Sequence, residues 1–288
     1  MHDQATALRE KSRSRQAQFI LGLKPGVEAF AGPQSVRTHV IAVTSGKGGV
    51  GKTNVVVNLA SAMVLRGKRV LILDADFGLA NVDVLLGLAP QYHLGDFLNG
   101  EKTLEEIVVT APSGLSIIPA APGVQTMSHL EDGQAQRLFQ NLDDFLKNYD
   151  ILFIDTSAGI SDNVTRLLLA SQQIVVISSP DPTAVVDAYA LIKIVLQMDP
   201  LRPLRILINS VADGGEAEQI FAQLSRVTQR FLAREIQYLG HVQWDEKLSD
   251  AVRSQKAVVT EFPFSKASRC FRTIAKALFP TDTAETGG

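Results

Sequence analysis

The chain has 288 residues, 45% of them hydrophobic and 20% charged, with 28 Lys and Arg against 30 Asp and Glu. A sizeable buried core is affordable at that composition, and a net charge of −2 implies no strong nucleic-acid binding. The single cysteine, Cys270, excludes a disulfide framework and a cysteine metal cluster, and the five histidines fall in separate segments without zinc-ligand spacing.

Residues 1–38 precede the first expected strand. Met1-His2-Asp3-Gln4-Ala5 is too polar for a signal peptide, and no apolar run approaches a bilayer span, so a cytoplasmic protein is expected. In this segment Arg9, Lys11, Arg13, Arg15, Lys24 and Arg37 outnumber Asp3, Glu10 and Glu28. A helix over residues 3–20 and a Gly/Pro-rich flexible linker over 22–35 are predicted.

Val40-Ile41-Ala42-Val43 is a short β-branched run and reads as a buried strand. It runs into Gly46-Lys47-Gly48-Gly49-Val50-Gly51-Lys52-Thr53, which fits the phosphate-loop pattern G-x-x-x-x-G-K-[ST]. Apolar residues at helical spacing follow over 55–63. Strand, glycine loop and helix thus stand in the required order. The N–H groups of Gly48, Gly49, Val50 and Gly51 can form an anion nest at a helix N-terminus. Lys52 is expected on the β- and γ-phosphates of ATP, and the Thr53 hydroxyl on Mg²⁺. The additional lysine, Lys47, is not required by an ordinary phosphate loop and points to a nucleotide-dependent dimer.

Two further strands, over 69–73 and 149–154, end in carboxylates: Asp74-Ala75-Asp76 and Asp155. Carboxylates at the C-terminal ends of parallel strands sit in the crevice where α/β proteins bind ligands. Asp155 is read as the residue holding the Mg²⁺ shell. Downstream, short helices are expected over 94–109 around Gly100, and a strand over 114–118. An amphipathic helix follows over 134–147, then a helix over 163–170. Strands over 173–177, 204–208 and 237–242 alternate with helices over 183–198 and 216–232. This unbroken alternation predicts one α/β domain over 39–280, a mostly parallel twisted sheet flanked by helices on both faces. A helix over 266–279 carries Phe271, Ile274 and Leu278 on one face and Lys266, Arg269, Arg272 and Lys276 elsewhere. Core packing is its preferred reading, with weak membrane-surface binding as the other. Residues 281–288 form a polar, acidic tail, expected to be disordered and unlike an anchor.

The motifs Lys47–Thr53, Asp74–Asp83 and Asp155–Ile160 resemble those of the deviant Walker A ATPases of the MinD/ParA group, a MinD-like branch of P-loop NTPases. Within it the chain most resembles the flagellar number regulators of the FlhG/FleN type, through Asn54, the run Asn81–Leu88 and the run Asp187–Lys193. The resemblance implies that Lys47 reaches the partner's phosphates across an ATP-bound homodimer. It implies that Asp76 orients the attacking water within the Mg²⁺ site of Thr53, Asp76 and Asp155, and that Asn209 contacts the adenine. Gly46 and Asn54 join the nucleotide-binding set. Asp3-Gln4-Ala5-Thr6-Ala7-Leu8-Arg9 is similar to the element by which such regulators stimulate the GTPase FlhF, with Asp3, Gln4, Ala5, Leu8 and Arg9 as contact residues. Contact with a flagellar basal-body protein or transcription regulator, and a peripheral location at the inner face of the cell membrane, are further implications. The alternative is a partition or division-site ATPase with a different cargo.

Overall fold

The structure, a computed structural model, describes residues 38–76, 81–120 and 132–279. Eight strands form one sheet in the order β3-β4-β2-β5-β1-β6-β7-β8. They are β1 (His39–Ser45), β2 (Val70–Ala75), β3 (Val109–Thr110), β4 (Ser116–Ile118), β5 (Ile151–Thr156), β6 (Gln173–Ser178), β7 (Leu204–Val211) and β8 (Gln237–Gln243). Every pairing is parallel except β3 with β4. The central strands are buried along nearly their whole length, as both-sided burial requires of near-continuous apolar runs.

The helices are α1 (Lys52–Val64), α2 (Val82–Leu85), α3 (Leu94–Leu98), α4 (Leu104–Ile107), α5 (Asp132–Phe145), α6 (Asp162–Ala170), α7 (Pro182–Met198), α8 (Gly214–Leu232), α9 (Glu246–Arg253), α10 (Val258–Glu261) and α11 (Lys266–Leu278). They split the interior into two layers. One face of the sheet packs Leu73, Ile154 and Val176 against Leu142, Leu167 and Leu191 of α5, α6 and α7. The other packs Ile41, Ile72 and Phe153 against Leu59 and Met63 of α1 and Phe271 of α11.

Two stretches differ from the sequence-based expectation, and a third is decided in favour of its preferred reading. The stretch read as short helices over 94–109 holds α3 and α4 but ends in the edge strand β3, whose two residues pair with Ser116 and Ile117. Helices α9 and α10 were not anticipated at all. In α11 the apolar face is fully committed: Phe271, Ile274 and Leu278 are buried, at about 1.5–3 kcal/mol each relative to exposure. That face is therefore unavailable to a lipid interface, which decides for core packing. No described helix is long and apolar enough to cross a membrane.

The start of the domain is anchored. Thr38 donates its hydroxyl to the carbonyls of Leu146 at 2.6 Å and Tyr149 at 2.8 Å. The 1–37 segment, including Asp3, Gln4, Ala5, Leu8 and Arg9, lies outside the described residues, as do Phe77–Ala80 and the tail.

Candidate functional site

Helix α1 begins unlike most other long helices of the fold. Its N-cap is Gly51, in the left-handed region at φ 87°, with no side-chain cap and no acidic residue in the first turn. By contrast Ser161, Asp181, Asp213, Asp245 and Ser265 cap α6, α7, α8, α9 and α11 with their own oxygens. The leading N–H groups of α1 therefore keep their capacity for an external anion, at the positive end of the helix dipole. In front of them lies a cleft of about 590 Å³, walled by Gly48, Gly49, Gly51, Lys52, Thr53, Asn54 and Asp76 together with Asn81, Val84 and Ser157.

Behind the cleft stands a buried pair of carboxylates. Asp74 and Asp155 stand opposite each other in the β2–β5 register. Asp155 is fully buried, and burial pushes its carboxyl upward while the Lys52 ammonium opposes the rise. Burial, followed by the charge of Asp155, lifts Asp74 to about 7. Lys52, itself buried, places its Nζ 3.4 Å from Asp155 Oδ1 and 3.8 Å from Asp76 Oδ2. One lysine thus faces two carboxylates, an excess of negative charge that favours a cation. Asp155 Oδ2 is buried with no hydrogen-bond partner among the described residues, and such an orphaned oxygen fits a metal or its water.

These residues fit Mg²⁺ only alongside a nucleotide. Among the described residues no three His, Cys, Asp or Glu side chains converge as a metal cage. Mg²⁺ normally takes one or two carboxylates and completes its shell with phosphate oxygens and water. The Thr53 hydroxyl, Asp76 and Asp155 are of that type.

The remaining sequence-identified residues stand behind or beside the cleft. Asn209, buried at the end of β7, donates from Nδ2 to the Val50 carbonyl at 2.8 Å. Its Oδ1 is buried with no hydrogen-bond partner among the described residues, and Asn209 is not part of the cleft wall. Gly46 packs against α7: a Cβ there would lie 2.2 Å from the Asp187 carbonyl carbon and oxygen. This close approach alone requires glycine at that position.

Lys47 points away from its own cleft. Its Nζ lies 2.5 Å from Asp181 Oδ2 and 2.7 Å from Thr183 Oγ1, at the start of α7. The ammonium holds the Asp181 carboxyl far below the usual carboxylate range. Sequence reasoning missed Asp181 and Thr183 as partners of the loop. The available signal was the cap pattern Asp-Pro-Thr directly after a strand, which puts both side chains at a helix start.

The sequence from 36 to 279 matches a family model described as ParA, NUBPL iron-transfer P-loop NTPase. The chain is 46% identical over 238 residues to the antiactivator FleN of Pseudomonas aeruginosa, covering 83% of this chain and 85% of that one. It is 35% identical over 251 residues to the flagellum site-determining protein YlxH of Helicobacter pylori, covering 87% and 84%. This chain belongs to the MinD/ParA family of P-loop ATPases, in its FleN/FlhG branch. The cell-division ATPase MinD of Pyrococcus furiosus shares the fold at a TM-score of 0.70 and 22% identity, over 83% of this chain and 98% of that one. The septum site-determining MinD of Pyrococcus horikoshii, complexed with Mg-ADP, matches at 0.70 and 22% over 84% and 96%. Membership in the MinD/ParA family accounts for the phosphate loop, the second lysine and the paired carboxylates together. The iron transfer named in the family model's description has little to work with here, since the chain has one cysteine.

Proposed function

We propose that this chain is an ATP-driven switch of the FlhG type that sets flagellar number and placement. The 46% identity to FleN, in a chain whose Lys52, Asp76 and Asp155 meet in one cleft, carries this reading. The net reaction is ATP and water to ADP and phosphate. The backbone N–H groups of Gly48 to Gly51 bind phosphate oxygens, and Lys52 neutralises them from the floor. Thr53, Asp76 and Asp155 hold Mg²⁺, which when bound offsets phosphate charge. Asp76, partly exposed at the cleft wall, orients the attacking water. Asn209 contacts the adenine.

Dimerisation follows from Lys47. The side chain is 38% exposed on the rim, so once it leaves Asp181 and Thr183 it can reach the phosphates of a second copy, stabilising charge in trans. The N-terminal element Asp3–Arg9 stimulates FlhF, with Gln4 as its key side chain. The protein is cytoplasmic, meeting the inner face of the membrane only peripherally. Contacts with a basal-body protein or a transcription regulator transmit its state, in line with the name antiactivator borne by its relative.

The test is the GTPase rate of the same organism's FlhF with a peptide of residues 1–20 and with its Gln4→Ala version, run beside ATP turnover of the full chain. Stimulation that disappears with Gln4→Ala supports the flagellar reading. ATP turnover without stimulation by either peptide leaves a positioning ATPase with another cargo.

A further inference from the structure

The segment that carries Asp76 and the segment that carries α2 hang from one buried side chain. Asp74 is 1% exposed and lies one strand residue short of the end of β2. Its Oδ1 accepts the Asp76 N–H at 3.1 Å, and its Oδ2 accepts the N–H groups of Asn81 and Val82, each at 3.3 Å. Both ends of the chain from Asp76 to Val82 are thereby tied to the same carboxylate. At the first end the Asp76 side chain enters the cleft beside Lys52. At the second end Asn81, Val84 and Leu85 form part of the cleft wall. Asp74 itself is absent from that wall.

We infer that Asp74 is a positioning residue for ATP hydrolysis, aiming Asp76 and seating α2 through three backbone N–H groups without touching the nucleotide. The inference rests on the ATPase reading above and deepens it. Hydrogen bonds from N–H to a carboxylate are the strong kind. In a buried setting they fix a backbone far better than an exposed Asp turn would. The orientation of the attacking water depends on where the Asp76 carboxylate stands, and a displacement of about 1 Å can cost up to about 100-fold in rate. Phosphate binding depends instead on the loop 46–53 and Lys52, which Asp74 does not hold. Loss of Asp74 therefore separates turnover from binding.

The substitution is Asp74→Asn, which keeps the shape but replaces one acceptor oxygen with a donor and removes the charge. In the full chain, turnover is expected to fall about 10- to 100-fold while the affinity for fluorescent mant-ADP stays within about twofold. Independently of any variant, hydrogen exchange on the wild-type protein is expected to show the amides of Asp76, Asn81 and Val82 protected without nucleotide. Unchanged turnover in Asp74→Asn overturns the inference. So does a parallel fall in turnover, mant-ADP affinity and melting temperature, which marks a merely structural residue. Free exchange of the three amides overturns it even if the variant does not fold. A wild-type chain that fails to hydrolyse ATP brings down the ATPase reading first, and this inference with it.

Discussion

Gly46→Ala tests whether the first glycine of the loop is there for packing. The added Cβ would sit 2.2 Å from both the carbonyl carbon and the oxygen of Asp187, and 2.8 Å from the Ala188 nitrogen. Ordinary carbon contacts begin near 3.5 Å, so loop and helix must part by about 1 Å. Both sides are backbone, and no flexible side chain can yield. Overpacking costs typically about 1–3 kcal/mol, and this rigid contact belongs at the upper end. At about 2–4 °C per kcal/mol for a large domain, the melting temperature should drop by about 6–10 °C. Mant-ADP affinity should weaken as well, because the displaced loop leads directly into the anion nest. Gly48→Ala is the control, since a Cβ there meets nothing within 4 Å, and its melting temperature should stay near wild type. Scanning calorimetry of both variants without nucleotide decides the matter. A Gly46→Ala protein melting within about 1 °C of wild type, on the same scale, would refute the packing argument.

Three further outcomes are expected. Lys52→Ala strips two buried or half-buried carboxylates of their lysine, so nucleotide binding should vanish in a mant-ADP titration and the nucleotide-free fold should lose up to about 3 kcal/mol; melting unchanged from wild type would contradict the pairing. Asp181→Asn keeps the oxygen that caps α7 but removes the charge that holds Lys47, so light scattering should show dimers at lower ATP than wild type requires; an unchanged midpoint would dissociate Lys47 from dimer formation. Asp74 gives a pH dependence whose sign follows from its raised value of about 7 against 3.8 for the free group. The fold disfavours its ionised form, so stability grows as pH falls through about 7 and saturates near 3.8. From pH 8 to pH 6 the gain is on the order of 1 kcal/mol. A rise of about 3 °C in the nucleotide-free melting temperature should follow, and Asp74→Asn should remove it.

The strand–loop–helix unit was legible because its signals are local. Val40–Val43 can only be a buried strand beside a glycine loop, and the carboxylates after β2 and β5 inherit their place from strand polarity. What escaped was tertiary. The partner of Lys47 lies 134 residues away in Asp181, and nothing near Lys47 announces it. The packing of Gly46 against the backbone of α7 also escaped, because that neighbour is remote in sequence. Helix α9 was missed because it is short and mostly polar, with Ala251 its one fully buried residue. Helix α10 has four residues and no side-chain cap. Asn209 was implied by the resemblance alone, and its hold on the Val50 carbonyl depends on β7 lying beyond β6 in the sheet.

The placement of β1 at the middle of the sheet has a consequence for biosynthesis. Its two neighbours are β5 and β6, so His39–Ser45 finds no hydrogen-bonding strand until Ile151–Thr156 and Gln173–Ser178 have been made. At about 5–20 residues per second, the strand that launches the phosphate loop waits on the order of 10 s on the ribosome with both edges bare. Nucleotide cannot assist that early stage, since Asp155 arrives with β5. The nascent chain must pass through an interval in which a central strand buried in the final fold is unprotected, and chaperone contact is expected to concentrate there.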